Sequence, residues 1–366
     1  MKTKPRSFYI AIIVTLAGFS STVCAQNWSS PQKLSSGKSP DLTIDRNTGR
    51  LHALVMDNFV TYVLVDKNGN KIREEDVPGT GVAIGGWRNG ATIAVDSNGQ
   101  PHVAYHKHLG GDYYDAFYLY KSGSSWTNAL QLSQNVWRGY SIRMATDSND
   151  EVHLIQGVPD VDGKVWGKAT YYRISNGSVR ATKAGLKQWR IDDHLEIDTY
   201  GNRDIYMVLS SPDKNGKVNF HFSSDNGASF SGPVNIRATN NDDGRPGNGD
   251  VFADLFNNVH LVYGTGEDPA QNVQPAVRYH RRKNGAKVRD VAVTDPGELL
   301  PWHLSTGIGT VAASDNGRQI VVAYLVTDGG ELRARISNDQ GVTWSNATTL
   351  ANQVGCCESR DKPVIR

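Results

Sequence analysis

Asp96-Ser-Asn-Gly-Gln-Pro-His102 runs into Val-Ala-Tyr-His106, and the same plan recurs at Asp45-Arg-Asn-Thr-Gly-Arg-Leu-His52, Asp147-Ser-Asn-Asp-Glu-Val-His153 and Asp254-Leu-Phe-Asn-Asn-Val-His260. Two looser copies begin at Asp198 and Asp315, so the leading aspartates are 51, 51, 51, 56 and 61 residues apart. Each copy has a short apolar run, a turn rich in Asp, Asn and Gly, and a second apolar run. Two more strand signals follow, such as Val218-Asn-Phe-His-Phe222 with Pro233-Val-Asn-Ile236, and Ala276-Val-Arg-Tyr-His280 with Arg289-Asp-Val-Ala-Val293. Four short strands in a repeat of this length predict an all-β chain of four-stranded antiparallel β-propeller blades.

Inner strands are expected at residues 39–45, 90–96, 140–147, 193–198, 249–254, 307–314 and 361–365, which predicts seven blades. Asn27-Trp-Ser-Ser-Pro-Gln-Lys-Leu34 resembles the outer strands Ser125-Trp-Thr-Asn-Ala-Leu-Gln-Leu132 and Thr343-Trp-Ser-Asn-Ala-Thr-Thr-Leu350, so the N-terminal segment is expected to supply the outer strand of the last blade. That arrangement would leave the ring no open edge. The chain stops at Arg366, where the middle strands of a seventh blade would follow, so either the C-terminal blade is truncated, which is the favoured expectation, or the ring closes imperfectly with six full blades.

Lys2, Lys4 and Arg6 precede an apolar run from Phe8 to Phe19 and the small-residue site Val23-Cys-Ala25. This is the layout of a secretory signal peptide cut after Ala25, which leaves 26–366 as one propeller domain. The apolar run is shorter than the roughly 20 residues a membrane span needs. The 39 Lys and Arg against 37 Asp and Glu become 39 − 3 = 36 against 37 after cleavage. A near-neutral, exported chain without a broad basic stripe is not a nucleic-acid binder. A chain of 366 residues with 38% hydrophobic residues is neither disordered nor a disulfide miniprotein, and it is expected to act as a monomer.

Ser223-Ser-Asp-Asn-Gly-Ala-Ser-Phe230 and Ser337-Asn-Asp-Gln-Gly-Val-Thr-Trp344 resemble the Asp-box of bacterial-neuraminidase-repeat propellers. In such a turn the Asp caps the hairpin, the Gly supplies positive φ and the aromatic packs between sheets. These turns sit at the periphery and carry no catalytic role. The recurring His52, His102, His153 and His260 are likewise expected to serve packing.

The loops that lead into inner strands and those joining second to third strands open on one face. His106 and His108, with Tyr113 and Tyr114, fall on that face, as do His194 and His303. The leading loops read Trp87-Arg88, Trp137-Arg138, Trp189-Arg190 and Trp302-His303, with Lys38, Arg245 and Arg360 in comparable places. Cations converging on one mouth repel unless an anion binds there. Guanidinium groups take carboxylate or sulfate bidentately and indoles stack on sugar faces, so the expected partner is an acidic glycan.

Three functions fit such a mouth. A polysaccharide lyase needs a neutralised uronate, a base and an acid, which His108 or His106, Tyr113, Tyr114 or Tyr140, and Arg88, Arg138 or Arg190 supply in kind. A sialidase-like hydrolase needs paired carboxylates or a Tyr nucleophile, for which Asp192, Asp193, Asp250, Glu267 and Asp268 are available. A glycan-binding propeller needs only the aromatic and basic residues. The stretch Asn89-Gly-Ala-Thr-Ile-Ala-Val-Asp-Ser-Asn-Gly-Gln-Pro-His-Val-Ala-Tyr-His-Lys-His108 resembles a blade of the seven-bladed ulvan lyases, which degrade a sulfated algal polysaccharide of rhamnose and uronic acids. The resemblance implies a lyase with His108 as one catalytic histidine, while Arg88 stands where the family's other histidine is expected.

No cofactor is required by this reading. Asp160-Val-Asp-Gly163 offers calcium-type ligands, and the adjacent Cys356 and Cys357 could form a vicinal disulfide, bind a metal such as zinc, or remain buried thiols.

Overall fold

The computed structural model describes residues 34–35, 38–56, 59–81, 90–111, 113–137, 141–159, 167–187, 195–211, 217–238, 249–265, 275–298, 309–326 and 331–352. Apolar residues alternating with polar ones in these segments build six antiparallel sheets arranged as propeller blades. Blade 1 is β1 (Lys38–Asp45), β2 (Arg50–Met56), β3 (Val60–Val65) and β4 (Lys71–Asp76). Blade 2 is β5 (Ala91–Val95), β6 (Pro101–Gly110) and β7 (Tyr113–Ser122), with β8 (Ser125–Trp126), β9 (Leu130–Gln131) and β10 (Val136–Trp137) sharing the outer edge of β7. Blade 3 is β11 (Ile142–Thr146), β12 (Val152–Pro159), β13 (Gly167–Ser175) and β14 (Ser178–Lys187). Blade 4 is β15 (Leu195–Tyr200), β16 (Asp204–Ser211), β17 (Lys217–Ser223) and β18 (Val234–Ala238). Blade 5 is β19 (Asp250–Ala253), β20 (Asn258–Thr265), β21 (Ala276–Lys283) and β22 (Ala286–Ala292). Blade 6 is β23 (Gly309–Ala313), β24 (Ile320–Leu325), β25 (Glu331–Ser337) and β26 (Thr348–Asn352).

The described blades therefore number six, correcting the expected seven. Counting inner-strand starts treats every start as a blade, whereas a blade also needs three following strands, and among the described residues six starts have them. The seventh start at 361–365 and the proposed closing strand at 27–33 lie outside the described residues. Leu34 is described. It packs on blade 1 with Leu42, Leu51, Ala53, Val63 and Val65, and its carbonyl accepts a hydrogen bond from Lys71 Nζ at 3.3 Å.

Five cores join neighbouring blades in series. Leu54, Tyr62, Val103 and Tyr105 lie between blades 1 and 2, Ala104, Tyr118, Leu154 and Tyr172 between 2 and 3, and corresponding sets follow through to Val262, Tyr279, Val322 and Tyr324 between 5 and 6. Burial of so many Val, Leu, Ile and Tyr side chains, at roughly 25 cal/mol per Å² of apolar surface, is the main driving force for stacking the sheets.

The recurring turn explains why the blades keep their shape. In blades 2, 3 and 5 the leading Asp accepts backbone N–H groups two and four residues on: Asn98 and Gln100 on Asp96, Asn149 and Glu151 on Asp147, and Phe256 and Asn258 on Asp254. The same carboxylate meets the buried histidine. His260 Nε2 is hydrogen-bonded to Asp254 at 3.2 Å, while His153 and His102 approach Asp147 and Asp96 at 3.3 and 3.5 Å, at ion-pair range but off hydrogen-bond geometry. Each histidine then uses Nδ1 toward a tyrosine on the third strand: His102 to Tyr118 at 2.7 Å, His153 to Tyr171 at 2.7 Å and His260 to Tyr279 at 2.8 Å. In blade 1 the turn is one residue longer and Thr48 takes the second oxygen of Asp45. His52 keeps its tyrosine, Tyr62 at 2.9 Å, but its Nε2 has no hydrogen-bond partner, and burial pushes its pKa down to about 4.

Those tyrosines receive the peripheral turns of the next blade. Phe230 stands edge-on to Tyr171 at 4.9 Å, Trp344 to Tyr279 at 5.3 Å and Trp126 to Tyr62 at 5.7 Å. In the turn at 223–230, Asp225 accepts hydrogen bonds from Ser223 Oγ at 2.7 Å and from the Ser229 N–H at 2.8 Å. Asp339 does the same for Ser337 Oγ and the Thr343 N–H, at 2.8 Å each.

Candidate functional site

Propeller strands alternate in direction, so the tight turns joining first to second strands gather at one end. There they bind each other: Asn47 Nδ2 donates to the Ser97 carbonyl at 2.7 Å, the Ser97 N–H to Asp150 at 2.7 Å and the Ser148 N–H to the Gly201 carbonyl at 2.9 Å. The opposite end is where a long hairpin of blade 2 rises. The pairing of β5 with β6 runs to Ala91 and Tyr105, and among the described residues the last backbone link is the His106 N–H to the Gly90 carbonyl at 2.7 Å. Above it, β6 and β7 continue as a ribbon that pairs His108 with Tyr114, bulges before Gly110, and gains Val136 and Trp137 opposite Tyr114 and Tyr113. Gly110 and Gly111 turn the ribbon at φ of 118° and 61°, which other residues adopt only with strain.

The ribbon displays three of the sequence-predicted residues together. His108 lies 4.8 Å from Tyr114, ring centroid to centroid, and its Nε2 donates to the Gly111 carbonyl at 2.6 Å. That bond places the ring proton on Nε2 and leaves Nδ1 as the acceptor of the neutral imidazole. Tyr113 is 37% exposed and its neighbour across the bulge, Leu109, 48% exposed. Lys107 sits over the Phe117 ring at 5.9 Å on the other side of the ribbon.

His106 occupies a different environment. It is fully buried between blades 2 and 3, where burial pushes its pKa down to about 4. Gln156 of blade 3 places its amide nitrogen 3.2 Å from His106 Nε2 and donates to Ser133 Oγ at 3.2 Å, while Tyr172 donates its hydroxyl to Gln156 Oε1 at 3.3 Å. Ser133 Oγ in turn accepts the Ala116 N–H at 2.9 Å.

Around the axis the inner strands carry a ring that the sequence reading did not single out. Asp41, Thr92, Arg143, Glu196, Asp250 and Thr310 hold the same position, two residues before the partner of the recurring second-strand site in each blade. Asp41 accepts the Ile93 N–H at 3.0 Å, Arg143 Nε donates to Glu196 at 2.9 Å, and Asp250 accepts Thr310 Oγ1 at 2.6 Å and the Val311 N–H at 2.9 Å. Side chains of one blade thus satisfy the exposed backbone edge of the next. The signal was present as one polar residue inside each short apolar run. Asp250, offered above as a hydrolase carboxylate, is buried and engaged in this ring.

Solved structures share this fold. A lectin from Burkholderia pseudomallei superposes with a TM-score of 0.63 at 11% identity, over 86% of this chain and 85% of that one. An ulvan lyase bound to -[GlcA(1-4)Rha3S]- superposes with a TM-score of 0.54 at 12% identity, over 87% and 85%. The fucose-specific lectin from Aleuria aurantia gives 0.50 at 12% identity, over 87% and 96%. No protein-family model matches the sequence, and no curated protein matches it. At these identities the likeness is one of fold.

Of the remaining predicted site residues, Trp87, Arg88, Arg138, Tyr140, Trp189, Arg190, His194, Arg245, Trp302, His303 and Arg360 lie outside the described residues, and of Trp137 only the backbone is placed. Asp160, Asp162, Cys356 and Cys357, the candidate metal ligands, also lie outside them. Among the described residues no three His, Cys, Asp or Glu side chains gather in a metal-binding group.

Proposed function

We propose that this chain is an exported propeller, delivered by its N-terminal segment 1–25, that cleaves an acidic, uronic-acid-containing polysaccharide by β-elimination. The observation that carries the reading is the raised ribbon of blade 2, which holds His108 with Nδ1 as its acceptor beside Tyr113 and Tyr114. The Ser-x-Asp-x-Gly turns support placing it among Asp-box propellers, and the ulvan lyase fold is consistent with the substrate class.

The chemistry balances on these groups. Arg88 and Arg190 neutralise the uronate carboxylate, which acidifies the proton on C5. His108 Nδ1 takes that proton, the C5–H electron pair becomes the C4=C5 double bond, and the C4–O bond breaks. The leaving oxygen takes a proton from a tyrosine hydroxyl, for which Tyr113 is the exposed candidate and Tyr140 the alternative. The aromatic and basic residues Trp87, Trp137, Arg138, Trp189, His194, Arg245, Trp302, His303 and Arg360 hold the chain across the mouth.

Incubating the mature protein with ulvan and other uronate polymers tests this. Ultraviolet absorbance from the unsaturated product is expected, lost in His108→Ala and retained per folded molecule in His102→Ala. New reducing ends without that absorbance would show a hydrolase. Retention on an acidic-glycan gel without turnover would show a binding module, the reading favoured by the lectin folds.

A further inference from the structure

His106 and Gln156 are both departures from the repeat, and they meet. Counting from the recurring second-strand site, the place held by His106 is occupied in the other blades by Met56, Gly157, Ser210, Gly264 and Leu325. The place held by Gln156 is occupied elsewhere by Val55, Tyr105, Leu209, Tyr263 and Tyr324. Blade architecture therefore requires neither side chain. Burying an imidazole and an amide where apolar groups suffice costs stability unless their polar atoms are well paired. Here His106 Nδ1 is buried without a hydrogen-bond partner among the described residues.

Their location gives them a use. His106 and His108 are alternate residues of β6 and so share the face toward blade 3. Among the described residues the pairing with β5 reaches His106 through the Gly90 carbonyl, and the backbone partner of the ribbon above it is β10, on the β7 side. Gln156 donates to His106 Nε2, which accepts, and ties the same amide to Ser133 and Tyr172. This contact ties the base of the ribbon, two residues below His108, to blade 3 across the blade seam.

We propose that His106 and Gln156 are positioning residues that lock the His108 ribbon against blade 3, a role that rests on the ribbon being the active site. His106 is then no proton carrier; it holds a fixed neutral tautomer with the proton on Nδ1. His106→Met and Gln156→Leu place there residues that Met56 and Leu209 supply at the same positions, so the fold is expected to accept them. In the full chain three quantities are read: the urea midpoint, amide hydrogen exchange of residues 107–114, and kcat and KM on ulvan.

The midpoint is expected at or above that of the parent, the ribbon amides are expected to exchange faster, and kcat is expected to fall by about tenfold to a hundredfold with KM little changed. The double variant is expected to be no worse than either single one, because the two act as a unit. Nitrogen chemical shifts of His106 in the parent are expected to report the Nδ1-protonated neutral ring, and loss of that signature in Gln156→Leu accompanies the loosening. Unchanged exchange in the ribbon overturns the proposal, as does a fallen midpoint with kcat per folded molecule unchanged. If the parent cleaves no uronate polymer, the functional reading fails, while exchange and the His106 signature still decide whether the pair anchors the ribbon.

Discussion

Gly341→Ala addresses the packing that joins one blade to the next. Gly341 closes the peripheral turn of blade 6 with φ of +80°, and a Cβ there would lie 2.2 Å from Tyr279 Cε1 and 2.8 Å from Cδ1. Tyr279 has nowhere to go: it is fully buried, hydrogen-bonded to His260 at 2.8 Å and stacked edge-on by Trp344 at 5.3 Å. The left-handed backbone costs a non-glycine residue about 1–2 kcal/mol. Overpacking a rigid contact adds about 1–3 kcal/mol, so the total is about 2–5 kcal/mol. Gly285→Ala is the control, because Gly285 has φ of +76° and no atom within 4 Å of its notional Cβ, so only the backbone cost applies. Urea titration of both variants should separate them by about 1–3 kcal/mol, a large fraction of a typical folding free energy. Adding Tyr279→Ala should abolish the separation in a double-mutant cycle. Equal midpoints for Gly341→Ala and Gly285→Ala would refute the view that the peripheral turns hold the blades together through these tyrosines.

Acid should weaken the fold through His52, whose folded pKa of about 4 lies below the ordinary 6.5: the unfolded chain binds the extra proton, so stability is complete above pH 6.5 and falls by about 2–3 kcal/mol toward pH 4. His52→Gln should flatten that part of a stability profile measured by urea titration. Burial pushes the Asp290 carboxyl up, but hydrogen bonds from His280 and Arg278 and the Arg278 charge outweigh it and bring it to about 2. Its contribution is present above pH 4 and lost as pH falls from 4 to 2, by no more than about 2 kcal/mol given partial solvation, and Asp290→Asn should remove that acid step. Arg143→Met breaks the buried pair with Glu196 and should cost about 3–5 kcal/mol, whereas Arg143→Met with Glu196→Leu should recover most of the loss in thermal melts.

The blades were legible because their turns are chemically demanding. A hairpin that needs an Asp to cap successive N–H groups and a His to meet that Asp leaves a readable spacing, which blades 2, 3 and 5 carry and blade 1 carries with one residue more and without a hydrogen bond to His52 Nε2. Blades 4 and 6 do not, and there the spacing misleads. Asp198 lies two residues before the turn and instead accepts the Ala253 N–H of blade 5 at 2.8 Å. In blade 6 the capping place belongs to Ser314, whose N–H donates to the Gln319 carbonyl at 2.8 Å, and not to Asp315. The axial ring escaped notice for a related reason: its partners sit on different blades, some fifty residues apart, so nothing local marks Arg143 and Glu196 as a pair. His106 and His108 could not be told apart either. Alternation puts them on one face, and the depth of His106 comes with its contact to Gln156, a residue fifty positions away on blade 3.

A repeating fold separates structure from use more sharply than a fold without internal copies. Whatever every blade needs, every blade can supply, so a position filled alike in several blades is accounted for by packing, as with His102, His153 and His260. A polar side chain found once, buried, at a place where five blades manage with Met, Gly, Ser or Leu needs another account. His106 meets that description, Gln156 stands where the other blades carry Val, Leu or Tyr, and the two lie in contact beneath the ribbon that carries His108. The opposite end shows the converse: its turns are hydrogen-bonded to one another from blade to blade, which leaves fewer polar groups available there to a ligand. Departure from the repeat, rather than residue type, is therefore the feature that separates the two ends and the reason for proposing the site on the ribbon side.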